Sequence, residues 1–132
     1  MTGPGSDTRP APAATLESLR IRLAAFAQAR DWDQFHSPKN LAMALIAEAA
    51  ELVEHFQWLS EADSRTLAPA KRDAVAEELA DILIYLVRTA DKLEVDLLAA
   101  AFAKLARNEQ RYPADRVRGD ARRAGEYEGG TP

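Results

Sequence analysis

Two short acidic pairs, each set inside an apolar run, constrain this chain more than anything else in it. In NLAMALIAEAAELVEHF, residues 40–56, Glu48 and Glu51 interrupt a stretch that is apolar on nearly every side; in EELADILIYLV, residues 77–87, Glu78 and Asp81 do the same. Residues three apart on a helix are surface neighbours, with about 5–6 Å between Cβ atoms, so each pair presents two carboxylates side by side. Four such groups in apolar surroundings repel one another and lose hydration, at a cost of several kcal/mol per ion even after relaxation. The flanks decide between this arrangement and an ordinary solvated face. Ala44, Ala47, Ala49, Ala50 and Leu52 give the first pair no polar stripe, and Leu79, Ala80, Ile82 and Leu83 give Asp81 none. Buried charges are paired or coordinate metals, so a cation is expected between the four.

Oxygen-only ligands suit a hard cation, and magnesium in particular is held by carboxylates together with substrate phosphates and water. Iron-binding four-helix bundles need a Glu-x-x-His unit on two helices, and the chain has none. No histidine pair falls at zinc-ligand spacing, and the absence of cysteine removes thiolate metal sites, disulfides and a cysteine nucleophile. There is no P-loop and no glycine-rich phosphate cradle, so phosphate chemistry would rely on a metal and on side chains such as Lys39, Lys104 and Arg111. The net charge of −4, without a long basic run, argues against DNA as the main partner. The N-terminal residues lack the apolar core of a signal peptide, and the longest strongly apolar run, Ile82 to Val87, is too short to span a bilayer. A soluble, cytoplasmic protein of one domain is the expectation.

Along the chain, residues 1–14 are rich in Pro, Gly, Ser and Thr and read as a disordered tail. Thr15 offers an N-cap to a helix with Leu16, Leu19, Leu23 and Phe26 on one face, ending near Arg30. Residues 31–40, DWDQFHSPKN, read as an ordered loop, after which Ser37 as N-cap and Pro38 at the first helical position start a second helix running to about Gln57 or Trp58. Ser60 to Thr66 reads as turn or loop, and Pro69 stands near the start of a third helix that runs to about Lys92. Its ILIYLV portion is apolar all round. A helix apolar on every face is packed on every face, and so short a chain has few elements to cover it, which points to an oligomer. A fourth helix starts near Val95 or Asp96 and reaches about Gln110, with Lys104, Asn108 and Arg111 forming a polar, cationic stripe. Tyr112-Pro113 ends it, and residues 114–132 read as a flexible tail. Trp32, Phe35, Trp58 and Tyr85 suffice to stack a nucleobase, although aromatics near helix ends more often pack into a core and a loop histidine such as His36 is more often a hydrogen-bonder than a catalyst.

Glu48-x-x-Glu51, followed after residues 52–77 by Glu78-x-x-Asp81, resembles the signature of the all-α, MazG-like nucleotide pyrophosphohydrolases. RDWDQFHSPKNLAMALIAEAAELVEHFQW from Arg30 to Trp58, EELADILIYLV, VDL at Val95 and RYPAD at Arg111 resemble more narrowly its dCTP pyrophosphatase branch. The resemblance covers residues 15–115 and leaves out the two tails. It implies an all-α, four-helix bundle over residues 15–113, assembled as a homotetramer built from dimers, with active sites where subunits meet. It implies hydrolysis of a deoxynucleoside triphosphate, dCTP or a modified dCTP, at the α-phosphorus to the monophosphate and pyrophosphate. Glu48, Glu51, Glu78 and Asp81 would hold magnesium, with Glu51 the carboxylate that helps take the proton from the attacking water. Trp32, Asp33, Gln34, Phe35 and His36 would line the base and sugar pocket, Trp58 would close it, and Tyr85 would stand beside the metal helix. Lys104, Asn108, Arg111 and Tyr112 would meet the phosphates. Some members of the branch carry a histidine where Leu23 stands here, so the choice of base is less tightly implied than the reaction. The alternatives are a broader NTP or dUTP pyrophosphatase and a non-catalytic, nucleotide-binding or antitoxin-like helical oligomer whose acidic pairs are structural.

Overall fold

A computed structural model describes residues 13–122 together with Gly125 and Glu126, and over these the chain is all-α. The first helix, α1 (Leu16–Ala29), starts with a reciprocal cap: the Ser18 N–H donates to Thr15 Oγ1 (3.0 Å) and the Thr15 N–H to Ser18 Oγ (2.9 Å). It stops at Asp31, whose φ of 52° lies in the left-handed region. The Trp32 N–H reaches back to the Ala27 carbonyl (2.9 Å) and the Asp31 N–H to that of Gln28 (3.1 Å), the two bonds of a Schellman ending. The apolar contact that accompanies such endings is present too, as the Phe26 and Trp32 rings meet edge to face at 5.8 Å. A single 3-10 turn, Asp33–Phe35, follows. Asn40 Nδ2 donates to the Phe35 carbonyl (3.0 Å) and ties this turn to the next helix.

That helix, α2 (Pro38–Phe56), begins as expected, with Ser37 Oγ accepting from the Asn40 N–H (3.1 Å) and proline at the first position. The segment expected as turn or loop after it contains one helical turn, α3 (Glu61–Ser64), because Ser60 Oγ caps the Asp63 N–H (3.1 Å) and the short acidic stretch suits a helix N-terminus. Helix α4 (Pro69–Lys92) runs without a break and, like α1, ends on a left-handed non-glycine residue, Glu94 with φ 54°. Helix α5 (Leu97–Arg111) is capped by Asp96, whose Oδ1 accepts from the Ala99 N–H (3.0 Å). It extends one residue beyond the expected end. The first residues of the segment read as a tail form a further turn, α6 (Ala114–Val117). The segment read as a disordered N-terminal tail lies outside the described residues apart from positions 13 and 14.

The described residues up to Glu94 form one compact unit and those from Val95 onward another. In the first, α4 is the central element: α2 packs along it, α1 packs beside it, and the 3-10 turn rests against α1. The buried apolar residues among those described are Ala27, Leu41, Val75, Val87 and Ala90. Full burial of Leu41 is worth about 1.5–3 kcal/mol, and it anchors the first turn of α2. Much apolar surface stays uncovered in the single chain, including Met43, Ile46 and Val53 on α2 and Leu79, Leu83 and Leu86 on α4. The ILIYLV run is thus buried at Val87, half-buried at Ile82, Ile84 and Tyr85, and open at two leucines. No helix among the described residues is long and apolar enough to cross a membrane.

Candidate metal centre

The two acidic motifs meet where α2 lies along α4. Glu48 from α2 and Glu78 and Asp81 from α4 each offer a carboxylate oxygen, and these oxygens all lie within 4.8 Å of one another. Glu78 and Asp81 share a face because they are three apart; Glu48 comes to them because α2 packs on that face. Glu48 Oε2 and Glu78 Oε2 are both buried without a hydrogen-bond partner. An unsatisfied buried acceptor costs about 1–3 kcal/mol, more when charged, so two of them side by side among three like charges call for a ligand that the protein itself does not supply. Burial, together with hydrogen bonding to Glu51, the charges of Glu51 and Asp81 and hydrogen bonding to Glu78, pushes the Glu48 carboxyl up to about 7 from 4.5. With no cation the cluster therefore holds a proton near neutral pH. A divalent cation would displace that proton, and the donor set, carboxylate oxygens on two rigid helices, fits a hard ion.

Glu51 stands apart from this group. Its side chain is exposed and its oxygen is not among the clustered three, although its carboxyl is close enough to act on Glu48. His55, one turn further along α2, brings Nε2 to 3.6 Å from Glu78 Oε1.

The loop residues expected to line a base pocket are gathered at the other end of α4. Trp32 and Phe35 expose their rings, Gln34 is turned back on its own loop by donating to Asp31 O and Oδ2 (both 3.0 Å), and Asp33 accepts from Arg88 Nη2 (3.0 Å) and Lys92 Nζ. Those two cations hold the Asp33 carboxyl below its usual range, Lys92 contributing most among the lowering causes. His36 Nδ1 accepts from Arg88 Nε (3.3 Å). Tyr85 is half-buried on α4 between the two clusters, and its carbonyl accepts from Thr89 Oγ1 (2.7 Å). Trp58, just past α2, is 88% exposed. In the second unit, Lys104 and Arg111 are exposed on α5 while Asn108 and Tyr112 are half-buried; the Tyr112 N–H donates to the Asn108 carbonyl (2.8 Å), and the Arg111 guanidinium lies 5.8 Å from the Tyr112 ring centroid. Lys39, at the start of α2, is exposed.

Arg88 is the functional-looking residue that the sequence reading passed over. It is buried, with 3% of its surface exposed, and bonds to Asp33, His36 and Asp91, while Asp91 also accepts from Arg20 of α1 (3.0 Å). The available signals were its position, a charge following directly on ILIYLV, and Asp91 three residues on; its other two partners, Asp33 and His36, lie more than fifty residues away and leave no local trace.

An all-helical chain with carboxylates from two packed helices converging on one point defines a class, and comparison places the chain within it. The MazG-like family model matches residues 44–126, and the chain belongs to that family. It is 49% identical over 112 residues to dCTP pyrophosphatase 1 of Rattus norvegicus, covering 83% of this chain and 66% of that protein, and 45% identical over 114 residues to dCTP pyrophosphatase 1 of Homo sapiens, covering 85% and 67%. The chain thus spans about two thirds of the length of these relatives. A crystal structure of a pyrophosphatase from Archaeoglobus fulgidus superimposes with a TM-score of 0.71 at 36% identity, covering 80% of this chain and 99% of that one.

Proposed function

We propose that the chain is a magnesium-dependent nucleotide pyrophosphohydrolase that converts dCTP or a modified dCTP to the monophosphate and pyrophosphate. The observation that carries this reading is the pair of buried, unpartnered oxygens of Glu48 and Glu78 beside Asp81; the names of the relatives supply the substrate. Glu48, Glu78 and Asp81 hold the ion, with Glu51 at its edge. Magnesium, when bound, would supply charge neutralisation at the phosphates and a more acidic water. Glu51 is the exposed carboxylate outside the tight group, and it is the one assigned to accept the proton of the attacking water. Trp32, Asp33, Gln34, Phe35, His36, Trp58 and Tyr85 form the base and sugar pocket, and Lys104, Asn108, Arg111 and Tyr112 bind phosphate oxygens. Residues 15–113 make up the catalytic domain and the flanking segments are tails.

The enzyme works in the cytoplasm as a homotetramer, a dimer of dimers. The uncovered apolar side chains of α2 and α4 support the association, since so many large apolar side chains exposed on two packed helices suit an interaction surface.

Pyrophosphate release from the four dNTPs, 5-methyl-dCTP and dUTP, with and without magnesium, tests the proposal. Metal-dependent turnover confined to cytosine nucleotides is the expected result. Equal turnover of every base would leave a broad NTP pyrophosphatase, and none under any condition would return the acidic pairs to a structural role in a nucleotide-binding oligomer.

A further inference from the structure

The stripe of α4 that carries Glu78 and Asp81 continues, in steps of four and three, through Tyr85, Arg88 and Lys92. Asp81 and Arg88 are two turns apart, about 10 Å along the axis, so the carboxylate cluster and the loop held by Arg88 share one face of one rigid helix. The Arg88 guanidinium uses each of its nitrogens: Nε donates to His36 Nδ1 (3.3 Å), Nη2 to Asp33 Oδ1 (3.0 Å) with His36 Nδ1 at 3.1 Å, and Nη1 to Asp91 Oδ2 (3.4 Å). A planar, buried fork of this kind fixes direction as well as distance.

The consequence for His36 is chemical. Because Nδ1 faces donors that cannot accept, the proton of the neutral ring is on Nε2, and the ring's other hydrogen-bonding atom is a donor only. Burial, and then the neighbouring positive charges of Arg88 and Lys92, keep the ring's pKa below the ordinary histidine value against the opposing charge of Asp33. The same loop carries the exposed rings of Trp32 and Phe35.

We propose that Arg88 is a positioning residue for nucleobase selection: it holds residues 31–37 in place and fixes His36 as the Nε2–H tautomer, a donor for a pyrimidine ring carbonyl at one end of the α4 stripe, while the carboxylates serve the phosphate end. This deepens the pyrophosphohydrolase reading and rests on it. Arg88 touches no reacting atom; it acts through His36 and the loop.

The test measures binding of the non-hydrolysable α,β-imido analogues of dCTP and dATP, with magnesium, to the wild-type chain, Arg88→Met and Arg88→Lys, alongside kcat for dCTP. Losing a hydrogen bond to a charged group corresponds to roughly a tenfold to hundredfold change in an equilibrium. Arg88→Met is expected to weaken the dCTP analogue by that factor, to narrow the gap to the dATP analogue, and to leave kcat at saturation within about threefold. Arg88→Lys keeps the charge without the fork and is expected to remain weakened. Wild-type affinity in Arg88→Met, or a lost kcat at unchanged affinity, overturns the proposal. A second measurement does not depend on either variant folding. Nitrogen-15 spectra of the wild-type chain, with His36 assigned by its loss in His36→Gln, are expected to show Nε2–H and bare Nδ1 at pH 7; an Nδ1–H ring or an imidazolium there overturns the proposal as well. If the chain binds the dCTP analogue in an Arg88-dependent way yet releases no pyrophosphate, the proposed function fails and this inference stands. If it turns over dCTP while Arg88→Met binds the analogue unchanged, the reverse holds.

Discussion

Helix α4 carries two clusters of charge that are built on opposite principles. Around Asp81, three carboxylates from two helices crowd together and two of their oxygens are buried with no partner. Around Arg88, one buried cation is met by two carboxylates and a histidine, and the outlying acids are met in turn by Lys92 and Arg20. The second cluster is complete within the chain and the first is not. A fold that satisfies a buried guanidinium so fully is able to satisfy a carboxylate, so the deficit at Glu48 and Glu78 marks the place where something from outside binds.

Four substitutions break or sharpen that contrast. The largest effect is expected from Asp81→Asn, which takes a charge from the incomplete cluster: turnover should fall on the order of a thousandfold, while circular dichroism keeps its helical signal and the melting temperature of the metal-free protein does not fall, because one of the repelling charges is gone. Retained activity would remove Asp81 from the metal site. In the complete cluster the result should invert, with Arg88→Met losing about 2 kcal/mol in urea unfolding. That is less than the 3–5 kcal/mol typical of a broken buried pair, because Asp33 is exposed and each acid keeps another cation. Unchanged stability would mean that the network adds nothing to the fold.

A smaller effect belongs to Glu48 itself. Its carboxyl binds a proton more tightly in the folded chain than in the unfolded one, so its stabilising contribution is full below about 4.5 and is lost as pH rises through about 7. In chelator, the melting temperature should therefore drop by a few degrees between pH 5 and 8, and Glu48→Gln should flatten that slope. Magnesium should raise the wild-type melting temperature more at pH 8 than at pH 5. Equal slopes for wild type and Glu48→Gln would show that the cluster is not strained by its own charge. The smallest change lies outside both clusters: Glu94→Gly relieves a left-handed residue and should stabilise by about 0.5–1 kcal/mol in the same unfolding assay, leaving turnover untouched.

The parts of the molecule that were legible in the sequence are those whose cause is local. Thr15 and Ser37 announce their helices because a cap is a contact across three residues, and Pro38 and Pro69 because proline suits a first helical position. Glu48, Glu51, Glu78 and Asp81 stood out because spacing within each helix is also local, and the packing of α2 on α4 then brought three of them together, leaving Glu51 at the edge. The helical turn after Ser60 was missed although Ser60 and Asp63 carry the capping pattern, since polar residues around a short turn read equally well as loop. Arg88 was invisible for a different reason. Its meaning lies in Asp33 and His36, and only the packed structure brings them to it.

The bareness of α2 and α4 has a consequence for how such a protein keeps its shape at all. With so few side chains buried by the chain alone, and with the uncovered faces closed by the proposed association, part of the free energy of folding becomes a function of concentration. Each tenfold dilution then removes about 1.4 kcal/mol per association step, so unfolding and dissociation are one event, and the molecule's stability is a property of its population.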